Sequence, residues 1–286
     1  MMDRRTIARQ VTAEALRMRK KVGYTFDGPI CVYDLAQRLG IEVRFLDIPS
    51  MEGMYHSASE PTIILSSLRP PGRRVFTCAH ELGHHSRGDG IHVDQLVEQW
   101  QRPKFDPKEL AADCFAGALL MPKMAVERAF AIRQWTIREC TPGQVYVLSN
   151  YFGVGYTTLV HHMRSALLLL SDARAVALLK IQPRKAQALA LGWEIPETVW
   201  VVDAHWTGRP IDVEAEDLIF VYGSPTSEGS CVEGVLDTEV GRLLRARQPG
   251  IGRLEDRSGW SAFIRVSRRG FVGRNIYRHQ EEADNE

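Results

Sequence analysis

The sequence predicts an α+β protein with a largely helical first part and a strand-rich last part. Two observations carry this. Before Ser171, apolar residues recur at helical spacing in several segments, with two strand-like runs among them. After Ser171, runs of β-branched and aromatic residues alternate with turns containing proline and glycine. The length of 286 residues favours more than one domain. The change of texture divides the chain into 1–138, a helical segment 139–170 and a β-rich part 171–286.

In order along the chain, Ile7 to Lys21 carry apolar positions at helical spacing, and Tyr33 to Leu39 form a short helix closed by Gly40. IEVRFLDI (Ile41 to Ile48) alternates as a strand does, and PTIILSS (Pro61 to Ser67) is a β-branched strand. Pro70-Pro71-Gly72 ends it, and a helix from about Arg73 runs to the turn chemistry of SRGDG near Gly88. Residues 89–104 are mixed and yield no element. Asp106-Pro107 is a helix start, with aspartate at the N-cap and proline at the first helical position. That helix ends at Met121-Pro122, and two or three more follow to about Leu169. Beyond Ser171, RAVALLKI, ETVWVVDAHW, DLIFVYG and WSAFIRVSRRGFVGRNIYRH read as strands, and EEADNE is an acidic tail.

A formal net charge of +1 gives no global attraction to nucleic acid or anionic membrane. The five cysteines are scattered and odd in number, without a C-x-x-C pair, which argues against a disulfide framework and for a reducing compartment. The charged N-terminal stretch is unlike a secretory signal, and the run Ala166 to Leu170 is too short to span a membrane. A cytoplasmic location is therefore expected.

Chemistry is concentrated in FTCAHELGHHSRG, which contains His80-Glu81-Leu82-Gly83-His84. On a helix, His80 and His84 lie one turn apart on the same face, where two imidazoles can close on one zinc ion. Glu81 is rotated by about 100° from His80. It is placed to take a proton from a water held by the metal. A third ligand has to come from elsewhere. Position 90 is Gly90, not the histidine of a metzincin, while His92 is out of register and His85 points away.

Glu109, in PKELAADCFAGALLMP, is the candidate, with Asp113 one turn on and on the same side. Spacing leaves two roles open. Glu109 can be a ligand while Asp113 orients a ligand histidine. Alternatively, Asp106 to Glu109 form a capping box and Asp113 is an ordinary solvated charge.

FTCAHELGHHSRG followed by ELAADCFAGALLMP resembles the ImmA/IrrE family of zinc metallopeptidases over about residues 7 to 165. Glu109 matches the family's glutamate ligand, and Phe115-Ala116 and Leu119-Leu120-Met121-Pro122 match the rest of the signature. Cys78 stands where an aliphatic residue is usual, and Asp113 where asparagine is more frequent. The resemblance implies a zincin-like domain with His80, His84 and Glu109 as metal ligands and Glu81 as the catalytic residue. It also implies cleavage of a helix-turn-helix transcriptional repressor, releasing stress-response or mobile-element genes.

The strand Thr62, Ile63, Ile64 and Leu65 just before the zinc helix is expected to pair with extended substrate. An oxyanion stabiliser is needed, and Tyr55, His56, Tyr146, Tyr156, His161 and His162 are available. Leu148 to Met163 have the helix, glycine turn and second helix of a helix-turn-helix. The second helix has no arginine or lysine before Arg164, so a structural or docking role is favoured over DNA reading. The C-terminal part has no chemical motif; by family analogy it is a sensory module, GAF-like in some relatives. Its arginines between Arg242 and Arg278 are read as a solvated face. The competing reading of the whole chain is a non-proteolytic anti-repressor or DNA-associated regulator with a structural zinc site.

Overall fold

The computed structural model describes residues 4–57, 60–90, 92–95 and 106–280. The chain forms two compact units, Met1–Val126 with Val272–Asn275, and Glu127–Phe271 with Ile276–Glu286. The acidic tail and most of 89–104 lie outside the described residues.

In chain order the first unit contains α1 (Arg4–Lys21), α2 (Val32–Arg38), β1 (Glu42–Leu46), β2 (Met51–His56) and β3 (Thr62–Ser66). It continues with α3 (Pro71–Arg87), β4 (His92–Gln95) and α4 (Pro107–Leu120). A helix α5 (Lys123–Ile132) spans the division between the units. β1 and β3 run parallel, and β2 pairs antiparallel with β3 and with β4. A two-residue strand from late in the chain, Gly273–Arg274, closes the β1 side.

The core of this unit is the stack of α1, α3 and α4, with Val11, Ala15, Leu82, Ala112, Phe115, Ala116 and Leu119 all fully buried. Arg19 is equally buried and donates to the carbonyls of Leu119 (2.7 Å), Thr25 (2.9 Å) and Gly28 (2.5 Å). Burial lowers its pKa to about 10, against the raising influence of Tyr24 and Asp27. The guanidinium so placed satisfies a carbonyl in the last turn of α4 that has no helical partner.

The second unit begins with α6 (Pro142–Phe152), α7 (Tyr156–Ser165), α8 (Asp172–Leu179) and α9 (Pro183–Leu191). Strands follow: β5 (Val199–Val202), β6 (Ile211–Glu214), β7 (Leu218–Tyr222), β8 (Thr226–Glu228), β9 (Val232–Asp237), β10 (Gly241–Ala246), β11 (Gly250–Glu255) and β12 (Ser261–Ser267). They build two four-stranded sheets, β5-β7-β10-β9 and β6-β12-β11-β8. RAVALLKI, expected as a strand, is helix α8. Ser171 caps it by accepting from the Arg174 amide, and Ala175 and Leu178 form its buried stripe. The run fits the helical period as well as the strand period, and the cap decides.

α6 and α7 are joined through Gly153, whose φ of 69° suits glycine. α6 is buried at Gly143 and from Val145 to Phe152. Its Asn150 Oδ1 accepts from the Val201 amide, and Gln187 Oε1 from the Val199 amide. Two helices thus satisfy backbone donors along β5, an edge of its sheet. Six arginines of the β-rich region are paired with carboxylates: Arg242 with Asp237, Arg245 with Glu216, Arg247 with Glu233, Arg269 with Asp217 and both Arg265 and Arg278 with Asp212. Such pairing offsets much of the positive charge of this region.

Candidate metal centre

α3 starts at Pro71, two residues before the expected Arg73, because Pro70 serves as N-cap and proline suits the first helical position. It ends at Gly88, whose φ of 65° is left-handed. The Gly88 amide donates to the His85 carbonyl at 3.1 Å and the Asp89 amide to the His84 carbonyl at 3.1 Å. This is a Schellman closure. At α4, Asp106 is the N-cap and accepts from the Lys108 amide, as read from the sequence.

Two glycines let the elements meet. A Cβ on Gly83 would lie 3.0 Å from the Ala112 Cα, so α3 and α4 touch backbone to backbone. A Cβ on Gly53 of β2 would lie 2.4 Å from Thr77 Cγ2 and 3.1 Å from Glu81 Oε1. The second contact brings bare strand backbone against the glutamate of the motif.

His80, His84 and Glu109, the set that the family resemblance implied, come together with one ligand atom each within 4.8 Å of the others. His80 Nε2 and His84 Nε2 are 3.1 Å apart. Glu109 Oε2 lies 3.4 Å from the first and Glu109 Oε1 3.5 Å from the second. A tetrahedral ion with ligands at about 2.0–2.1 Å has donor–donor edges of about 3.3–3.4 Å. The nitrogen–nitrogen separation and the shortest distance from each nitrogen to a Glu109 oxygen lie near that value, and one ligand atom from each residue lies within 4.8 Å of the other two, so the donor set fits a metal ion. His84 and Glu81 are fully buried and His80 nearly so, while the Glu109 side chain is 38% exposed. The opening therefore lies on the Glu109 side.

The second ring nitrogen of each histidine faces a carboxylate. His80 Nδ1 meets Asp113 Oδ1 at 2.9 Å, one of the two roles that the Glu109-x-x-x-Asp113 spacing left open. His84 Nδ1 lies 3.1 Å from Asp89 Oδ2, a contact that sequence reasoning missed. Burial works against a charge on His80, but hydrogen bonds with Asp113 and Glu109 and the charges of Asp113 and Glu81 outweigh it, raising its pKa to about 10. So many carboxylates around two imidazoles make a site suited to a cation.

Other expected residues lie elsewhere. The run Thr62, Ile63, Ile64 and Leu65 is not an edge: β3 sits inside the sheet between β1 and β2, which occupy both of its sides. Of the expected oxyanion candidates, Tyr55 hydrogen-bonds through its hydroxyl to His85 Nδ1 at 2.8 Å. Tyr146 donates to Gln187 Oε1 and the Val199 carbonyl, and Tyr156 to the Leu178 carbonyl. These three hydroxyls tie elements together.

Two imidazoles and a carboxylate within ligand distance, beside a buried glutamate, define a candidate metallohydrolase centre. Comparison with protein families supplies the rest: the IrrE N-terminal-like domain, peptidase M78, matches residues 36–164. The match is to the ImmA/IrrE family model, named for a peptidase, and is confined to that segment, under half of the chain. A solved structure of a Mycobacterium tuberculosis transcriptional regulator is similar at 21% identity and a TM-score of 0.38, over 54% of this chain and 46% of that one. The chain thus matches less than half the length of that regulator. No curated protein sequence matches it. Among the described residues no helix is long and apolar enough to cross a membrane.

Proposed function

We propose that the chain is a cytoplasmic zinc-dependent endopeptidase with a zincin-like catalytic domain. In this reading His80, His84 and Glu109 are the zinc ligands, Glu81 is the general base, and Asp113 orients His80. The observation that carries it is the donor cluster: two imidazole nitrogens 3.1 Å apart, with one Glu109 oxygen 3.4 Å from the first and the other 3.5 Å from the second, a set suited to one tetrahedral ion. When bound, zinc lowers the pKa of a coordinated water and polarises the scissile carbonyl.

The chain supplies the proton transfers. Glu81 accepts the proton of the attacking water and passes it to the leaving amine nitrogen. Its burial and the bare backbone of Gly53 beside it hold the carboxylate in one place. Among the described residues β4 has a single strand neighbour, β2, and extended substrate adds at its other side.

Family kinship points to a helix-turn-helix repressor as substrate, whose cleavage releases stress-response or mobile-element genes. α6 and α7 serve as a packing or docking pair rather than a DNA reader, and the β-rich part senses a signal or partner.

The test has two arms. Protein purified without chelator should carry about one zinc per chain, lost or much weakened in Glu109→Ala. Glu81→Gln should keep the zinc and abolish cleavage, read as new N-termini in cells expressing wild type but not the variant. Repressor relief by Glu81→Gln with no new termini would establish the non-proteolytic anti-repressor instead.

A further inference from the structure

We propose that Asp89 is a positioning residue of the metal centre, holding His84 in the tautomer that turns an unprotonated Nε2 toward the metal. The proposal rests on the metallopeptidase reading above and adds a residue outside the motif. His84 is fully buried, so its Nδ1 has no bulk water to turn to. It meets Asp89 Oδ2 at 3.1 Å. The Asp89 side chain is only 9% exposed, whereas Asp113, the partner of His80, is 60% exposed. The better-shielded carboxylate is therefore the one that lies outside the motif helices.

Two features hold Asp89 there. The closure at Gly88 folds the chain back so that the Asp89 amide bonds to the His84 carbonyl at 3.1 Å while the side chain reaches the same residue's ring. Arg87 Nε and Lys108 Nζ then stand 3.6 Å from its two oxygens. A carboxylate between two cations accepts hydrogen bonds and does not donate them. The imidazole proton must then sit on Nδ1, which leaves the Nε2 lone pair for the metal and makes it more basic. Lys108 also precedes Glu109, so Asp89 links the second histidine to the turn that carries the carboxylate ligand.

The experiment compares full-length wild type, Asp89→Ala and Asp89→Asn. Long-range ¹H–¹⁵N correlation of the His84 ring in metal-free protein reads the tautomer, and chelator competition reads zinc affinity. In the wild type the proton is on Nδ1. In Asp89→Ala the ring should populate the other tautomer and zinc affinity should fall by about 10–100-fold. Asp89→Asn keeps an acceptor without the charge, so the tautomer should persist and affinity fall by roughly 3–10-fold.

Wild-type tautomer and affinity in Asp89→Ala would overturn the proposal. If that variant does not fold, wild-type affinity in a folded Asp89→Asn would do the same. No zinc in the wild type, or zinc indifferent to Glu109→Ala, would overturn the metallopeptidase reading instead. The tautomer, measured without metal, would then still decide the role of Asp89.

Discussion

Gly53→Ala puts the packing around the glutamate of the motif to a quantitative test. The added Cβ would lie 2.4 Å from Thr77 Cγ2, whereas carbon atoms in contact sit about 3.5–4.0 Å apart. Thr77 is buried and β-branched on a helix, so it has little rotamer freedom to retreat. β2 and α3 must therefore part by about 1 Å or Thr77 must leave its rotamer, and overpacking of this kind costs about 1–3 kcal/mol. Amide hydrogen exchange over β2 and β3 reads the loss locally: about 2 kcal/mol corresponds to roughly 30-fold faster exchange. Thr77→Ser removes the offending methyl. The double variant should thus be more stable than the sum of the two single changes by about 1 kcal/mol or more. Recovery should stay partial, because the new Cβ also meets Glu81 Oε1 at 3.1 Å. Exchange within threefold of wild type for Gly53→Ala, with additive energies in the double variant, would refute the close approach.

Two further expectations concern the second unit. His279 has its pKa lowered to about 3 by burial and by Arg278, against Asp212 and the Val266 carbonyl. Its folded value lies below its unfolded value of about 6.5, so its contribution to stability is complete above about pH 6.5 and is lost as the pH falls toward 3, at up to about 1.4 kcal/mol per pH unit. Acid titration followed by the fluorescence of Trp206 and Trp260 should show this slope in the wild type and a shallower one in His279→Gln. Asn150→Ala removes the acceptor of the Val201 amide, a buried donor, and should cost about 1–3 kcal/mol in urea unfolding of the same unit. A loss under about 0.5 kcal/mol would mean that the helix does not protect β5 as drawn.

The parts legible in the sequence were those encoded by local spacing. The one-turn separation of His80 and His84, the N-cap at Asp106 and the one-turn step from Glu109 to Asp113 each follow from the helical period. What escaped depends on long-range topology or on a single turn. The interior position of β3 follows from β1 and β2 both choosing it as neighbour, which no run of residues announces. The run RAVALLKI fits both periods, and only the Ser171 cap marks it as the helix α8. Asp89 lies five residues beyond His84 and reaches it only through the left-handed backbone of Gly88. The available signal was a glycine and an aspartate straight after the motif helix, and it was read as turn chemistry alone.

The two glycines of the site separate its two tasks. Gly53 faces Glu81, so a methyl there should trouble catalysis; Gly83 faces the helix of Glu109, so a methyl there should trouble metal binding. Gly83→Ala gains helix propensity of up to about 1 kcal/mol. Against that, its Cβ would lie 3.0 Å from the Ala112 Cα, a backbone atom that cannot rotate aside. α4 must move away by several tenths of an ångström and carry Glu109 with it, beyond the tolerance of about 0.2 Å for a metal ligand. Gly83→Ala should therefore keep the wild-type far-ultraviolet dichroism while zinc affinity falls by about tenfold or more. Gly53→Ala should lose turnover with zinc largely retained. Equal zinc affinity in Gly83→Ala and the wild type would show that Glu109 does not depend on the α3–α4 contact, and that the carboxylate reaches the histidines by its own flexibility.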